Sequence, residues 1–156
     1  MKTFITENFL LQSEEAQRLY HDYAKKMPII DYHNHLSPKA IAQNESYSTI
    51  SDVWLAGDHY KWRGMRAFGV DEKYITGNAS AEEKFLKWAE VVPYTVRNPL
   101  YHWTHLELLR YFDIDQLLNP QSAKEIYNRC NALLGSGNYN AVELLEKVNV
   151  ELLCTT

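Results

Sequence analysis

Cysteine is scarce: only Cys130 and Cys154 occur in 156 residues, far apart and without paired spacing. A disulfide scaffold or a zinc ribbon needs thiols at short, regular intervals, so neither is indicated. Long apolar runs are missing as well. No stretch approaches the roughly 18 residues that a membrane helix requires. Met1-Lys2-Thr3 leads into a mixed segment containing Glu7, without the apolar core of a secretory signal. There is no block of positive charge: 16 Lys+Arg against 20 Asp+Glu leave a net charge of −4, which argues against a nucleic-acid surface. Walker loops, GxGxxG turns and Ser/His/Asp arrangements are absent, so nucleotide chemistry has no support. No Pro/Gly/Ser linker, internal repeat or low-complexity tract divides the chain. These absences leave a soluble intracellular protein as the expectation, with the cytoplasm as its place. What is present is apolar surface, 46% hydrophobic residues against 23% charged, enough to bury a core. With 11 Tyr, 4 Trp and 5 Phe, rings serve either large buried surfaces or a sugar-sized pocket, and composition does not choose.

Capping signals divide the chain into short helices. Ser13 opens a helix to about Lys26, with Glu14 and Glu15 at its positive end and Ala16, Leu19, Tyr20, Tyr23 and Met27 forming one apolar face. Pro28 stops it, and Ile29-Ile30-Asp31-Tyr32-His33 follows as a buried strand. Ser37-Pro38 heads a short helix to Gln43, another runs near Ser51 to Ala56, and Asp58 caps a third across His59 to Phe68, closed by Gly69. Ser80 with Glu83 is a capping box for a helix carrying Phe85, Trp88, Ala89 and Val92, interrupted by Pro93. Asn98-Pro99 starts a helix through about Phe112. Ser122 with Glu125 reads as a second capping box, for a helix ending at Gly135, and Asn140 with Glu143 heads the last, to about Lys147. Val148 to Cys154 then reads as a second strand. The pattern is about seven helices to two strands, and a chain stopping at Thr156 as a strand forms reads as cut.

Three clusters could carry chemistry. His33-Asn34-His35 ends the first strand, where side chains two apart share a face and two imidazoles can grip one metal ion. The alternative is one histidine capping a backbone group and the other solvated. Asp58-His59-Tyr60-Lys61-Trp62-Arg63 puts two proton-transfer groups at a helix start, whose amides favour anions. The competing reading is a polar helix start with Tyr60 and Trp62 packed inward. In Tyr101-His102-Trp103-Thr104-His105-Leu106-Glu107, His102 and His105 are near enough to share a ligand, although Trp103 and Leu106 favour a packed aromatic face. Cys130, among Ile126, Tyr127, Leu133 and Leu134, reads as a small buried hydrophobe.

Taken in order, these residues resemble the N-terminal part of uronate isomerase (glucuronate/galacturonate isomerase), of the amidohydrolase superfamily. The resemblance is carried by Phe9-Leu-Leu11, Arg18-Leu-Tyr-His-Asp-Tyr-Ala-Lys25 and Pro28-Ile-Ile-Asp-Tyr-His-Asn-His-Leu-Ser-Pro38. It continues through Gly57-Asp-His-Tyr-Lys-Trp-Arg63 and Asn98-Pro-Leu-Tyr-His-Trp-Thr-His-Leu-Glu-Leu108. It implies an α/β fold of (β/α)8-barrel type and interconversion of an aldehyde sugar acid with its ketose: D-glucuronate with D-fructuronate, D-galacturonate with D-tagaturonate. It further implies a divalent metal, zinc, on His33 and His35; proton transfer and substrate contact by His59 and Tyr60; and a homo-oligomer at full length. Lys61 and Arg63 are both candidates for balancing the substrate carboxylate, with only one of them expected to face the site from a helix. Asn34 stands where relatives often carry cysteine. A barrel needs roughly 200–250 residues, and the family's late aspartate ligand and late arginine have no counterpart here. The chain therefore reads as an incomplete, mainly helical N-terminal portion of one barrel domain over residues 1–156. It comprises the first strand, a helical insertion over about 37–147, and the start of the second strand at about 148–156. The rival expectation is an inactive fragment or a stand-alone helical interaction module.

Overall fold

The computed structural model describes residues 3–155. Met1, Lys2 and Thr156, with the expected last residue of the second strand, lie outside them. Among the described residues the order is α1 (Glu14–Asp22), β1 (Ile29–Asn34), α2 (Pro38–Ala42), α3 (Ile50–Trp54) and α4 (His59–Ala67). It continues with α5 (Ala81–Val91), α6 (Pro99–Phe112), α7 (Ala123–Leu134), α8 (Ala141–Lys147) and β2 (Val150–Thr155). The mainly helical content and the two strands match the sequence expectation, but β1, expected to be buried, is largely exposed, with Ile30 at 63% and Tyr32 at 83%. The chain gathers into two compact units, one of residues up to Ser46 and from Tyr139 onward, the other Tyr47–Asn138.

The first unit holds the strands. β1 and β2 pair in parallel, with Ile29 opposite Val150, Asp31 opposite Leu153 and Asn34 opposite Thr155. Parallel neighbours need a long crossover between them, and the intervening helices supply it. Ahead of β1, Ser13 caps α1 by accepting from the Ala16 amide. The helix does not run on to Lys26. It ends at Asp22, capped by Tyr23, and a separate 3-10 turn spans Ala24–Lys26. Met27 is extended (φ −75°, ψ 145°), as a residue before proline is pushed to be, and the chain tightens to reach that conformation. The apolar residues Leu19, Tyr23 and Met27 are exposed.

At the other end of this unit, α8 is not headed by its own Asn140, whose side chain makes no cap bond. Asn44 does that work from long range. Its Oδ1 accepts from the Val142 amide at 2.9 Å, and its Nδ2 donates to Glu143 at 3.2 Å. Asn44 has φ 46°, a left-handed conformation that asparagine tolerates.

The second unit has the larger core. Trp88, Phe85, Ile50, Met65, Leu108 and Ile126 are fully buried, the Trp54 ring stacks on Phe85 at 6.0 Å, and Phe85 meets Tyr127 at 5.2 Å. Five rings, Trp54, Phe85, Trp88, Phe112 and Tyr127, are buried in this unit. α4 packs against its neighbours at Gly64, where an added Cβ would stand in ordinary van der Waals contact, 3.4 Å from Leu100 and 3.8 Å from Trp88. Gly69 (φ +84°) ends the turn after α4, as expected. The capping box Ser80–Glu83 forms, and so does one at Thr49–Asp52 that sequence reading missed. Ser122–Glu125 is not a capping box. The Ser122 hydroxyl donates to the Leu117 carbonyl and accepts from the Asn119 amide, which uses it to fold the preceding turn instead.

Candidate functional site

In the first unit, β1 delivers His33 and His35. Their ring centres lie 4.9 Å apart with planes at 89°. An ion about 2.0–2.1 Å from one nitrogen of each ring, at a tetrahedral angle, would set the ring centres about 5 Å apart. That ring spacing is compatible with two ligands of one metal. Among the described residues, no group of three or more His, Cys, Asp and Glu could hold a metal ion. The residue between them is a brace. Asn34 donates to the Asp31 carboxylate at 2.6 Å and accepts from the Leu36 amide at 2.5 Å, fixing the backbone on both sides of the pair. Sequence reading attached no role to Asn34, although Asp31-x-x-Asn34 was the available signal.

In the second unit, Asp58 caps α4 through one carboxylate oxygen, which accepts from the Tyr60 amide at 2.9 Å and the Lys61 amide at 3.1 Å. These are amides that could have bound an anion, and the cap occupies them. The other oxygen takes the Lys61 ammonium at 2.5 Å. Burial works against the Asp58 carboxylate, but the ammonium and the two amides outweigh it and hold Asp58 below its usual range. Lys61, only 5% exposed, is thus committed inside the protein and is no candidate for a substrate carboxylate.

His59 and Tyr60 point the other way. Tyr60 is 55% exposed, its ring centre lies 4.5 Å from that of His59, and the exposed Arg63 guanidinium stands 5.8 Å from the Tyr60 ring. The inward-packing alternative thus fails for Tyr60. Trp62 is half-buried, its indole donating to the Leu55 carbonyl at 2.6 Å.

The third cluster is structural. His105 is buried, with Nδ1 2.7 Å from the Tyr101 carbonyl and Nε2 accepting from the Leu118 amide at 3.0 Å. Those partners require the neutral ring protonated at Nδ1, and they use both nitrogens, so His105 cannot share a ligand with His102. Burial lowers its pKa, opposed by the Tyr101 bond and assisted by His102. Trp103 is exposed, so the packed face expected around it is formed by Thr104, His105 and Leu108 instead. Burial pushes the Cys130 thiol up to about 12, and its place in the core bears out the small-hydrophobe reading.

Comparison with known proteins extends along the whole chain. The family model for glucuronate isomerase matches residues 1–156. A uronate isomerase from Flavobacterium johnsoniae is 58% identical over 154 residues, 99% of this chain and 33% of that protein. One from Geobacillus stearothermophilus is 60% identical over 156 residues, 100% of this chain and 33% of that protein. The crystal structure of uronate isomerase from Thermotoga maritima superposes with a TM-score of 0.93 at 41% identity, covering 99% of this chain and 34% of that one. Glucuronate isomerase from Caulobacter crescentus shares the fold, with a TM-score of 0.79 at 24% identity over 84% of this chain and 29% of its own. The chain spans about a third of the length of the curated relatives it matches.

Proposed function

This chain belongs to the glucuronate isomerase family, and from that premise we propose that it supplies catalytic groups for aldose–ketose isomerisation of hexuronic acids. The substrates in this reading are D-glucuronate, giving D-fructuronate, and D-galacturonate, giving D-tagaturonate. The observation that supports it best is the convergence of His33 and His35 at the end of β1, 4.9 Å between ring centres. In the same reading, the parallel pair β1–β2 forms two neighbouring strands of a (β/α)8 barrel. Residues 1–156 are one portion of that barrel domain, and most of the helices belong to an insertion between the strands. By family likeness, the enzyme works in the cytoplasm as a homo-oligomer.

Isomerisation moves a proton from C2 to C1 through an enediol, so it needs a base, a returning acid and positive charge near the carbonyl oxygen. A divalent metal such as zinc, bound through His33 and His35, would supply that positive charge. Tyr60 exchanges the proton with the enediol. Its phenol is exposed at the start of α4, with the Arg63 guanidinium 5.8 Å from its ring. His59, stacked beside it, holds the sugar hydroxyls or carboxylate. Of the two cations in this segment, Lys61 is tied to Asp58 and Arg63 is exposed, and Arg63 faces the substrate carboxylate.

The test is metal content together with rate, in a chain of the relatives' full length. His33→Asn should lower metal occupancy and turnover together. Full metal content in a His33→Asn, His35→Asn double variant would overturn the metal assignment.

A further inference from the structure

His59 and Tyr60 sit in a backbone segment tied down on both sides. Behind them, α3 ends with Trp54 and Leu55; ahead of them, α4 carries Lys61 and Trp62. The Lys61 ammonium bonds to Asp58 at 2.5 Å and lies 5.8 Å from the Trp54 ring. The Trp62 indole reaches back to the Leu55 carbonyl at 2.6 Å, and the second oxygen of Asp58 holds the Tyr60 amide at 2.9 Å. From α6, Glu107 adds a further carboxyl to the surroundings of this ammonium. Burial pushes its pKa up, Lys61 draws it down, Asp58 pushes it up and Trp54 draws it down.

A helix cap alone does not call for this arrangement. Asparagine or serine caps as well as aspartate. A buried ammonium is also costly to desolvate, and well-packed apolar residues are often at least as stable as a buried ion pair. What the pair adds is a fixed position for Asp58, and through its other oxygen a fixed position for the Tyr60 backbone.

We propose that Asp58 and Lys61 are positioning residues, which act as one unit to hold His59 and Tyr60 in the orientation in which they meet the substrate. The proposal rests on the roles given to His59 and Tyr60 above. The experiment compares kcat, KM and melting temperature for Asp58→Asn, Lys61→Met, their double variant and Tyr60→Phe, in a chain of the relatives' full length. Asp58→Asn keeps the cap and removes the charge. Displacing a reacting group by an ångström costs about 10²-fold, so each single variant should lose roughly 10–10²-fold in kcat, with KM little changed. The double variant should fall no further than the worse single one, as expected of residues that work as a unit. Wild-type kcat in Asp58→Asn and Lys61→Met beside a slow Tyr60→Phe would overturn the positioning role and leave the site reading standing. A lowered melting temperature with kcat per folded molecule unchanged would overturn it too. Wild-type turnover in Tyr60→Phe would overturn the site reading, and this inference with it.

Discussion

Replacing His105 by phenylalanine keeps a ring of similar size in a 3% exposed position and removes both nitrogens. The Leu118 amide then loses its acceptor at 3.0 Å, in a turn where Leu118 itself is 1% exposed. A buried N–H left without a partner costs about 1–3 kcal/mol. For a unit the size of Tyr47–Asn138, that is a drop of roughly 5–20 °C in melting temperature. Acid gives a second signature. Burial holds the folded-state pKa of His105 below its unfolded value of about 6.5. In the window between the two values the unfolded chain binds the extra proton, so stability is fully present above about pH 6.5 and is lost as the pH falls toward the folded pKa. The phenylalanine variant lacks that component of the slope. Urea unfolding from pH 7.5 down to 5, with the slope against denaturant checked for constancy, measures both effects. Equal stability of the two proteins at pH 7.5, or an equal loss on acidification, would show that the Leu118 amide does not depend on His105.

Two further outcomes concern residues 1–156 as an isolated chain. A thiol reagent should label Cys154, which is exposed on β2, and spare Cys130, whose pKa of about 12 and burial keep it from forming thiolate; in urea both should react. Fast labelling of Cys130 without denaturant would contradict its placement in the core. The same isolated chain should self-associate, because the two-stranded sheet presents Ile30 (63% exposed), Tyr32 (83%) and Leu152 (49%) beside unpaired strand edges. A monodisperse monomer with one cooperative melt would speak against barrel strands in need of neighbours and for a stand-alone module.

Local chemistry was the most legible part of the sequence. Ser13, Ser37, Asp58, Ser80 and Asn98 each cap the helix they were expected to cap, because a cap is made within three residues of itself. The failures are cases where a partner from elsewhere wins. Asn140 was a plausible cap, but Asn44, almost a hundred residues away in sequence, takes the α8 amide. Ser122 had the right spacing to Glu125, yet the turn from Leu117 to Asn119 captures its hydroxyl. The candidate site divides in the same way. His33 and His35 lie side by side, 4.9 Å between ring centres, whereas the fate of Lys61 was hidden: no local pattern tells a buried lysine from an exposed one when its partner and its ring lie on one inward face. His105 was legible as a packed histidine, and Leu118, the amide it serves, was not, being thirteen residues on across a loop.

In the proposed reaction, the exposed phenol at the start of α4 moves the proton between C2 and C1. Its most direct measurement is turnover of D-glucuronate by Tyr60→Phe in a chain of the relatives' full length, with metal content determined on the same sample. Losing a positioned acid or base costs about 10²–10⁴-fold in rate. A fall of that size with metal content unchanged is expected, since the metal is assigned to His33 and His35 and not to the hydroxyl. Turnover at the wild-type rate would contradict it.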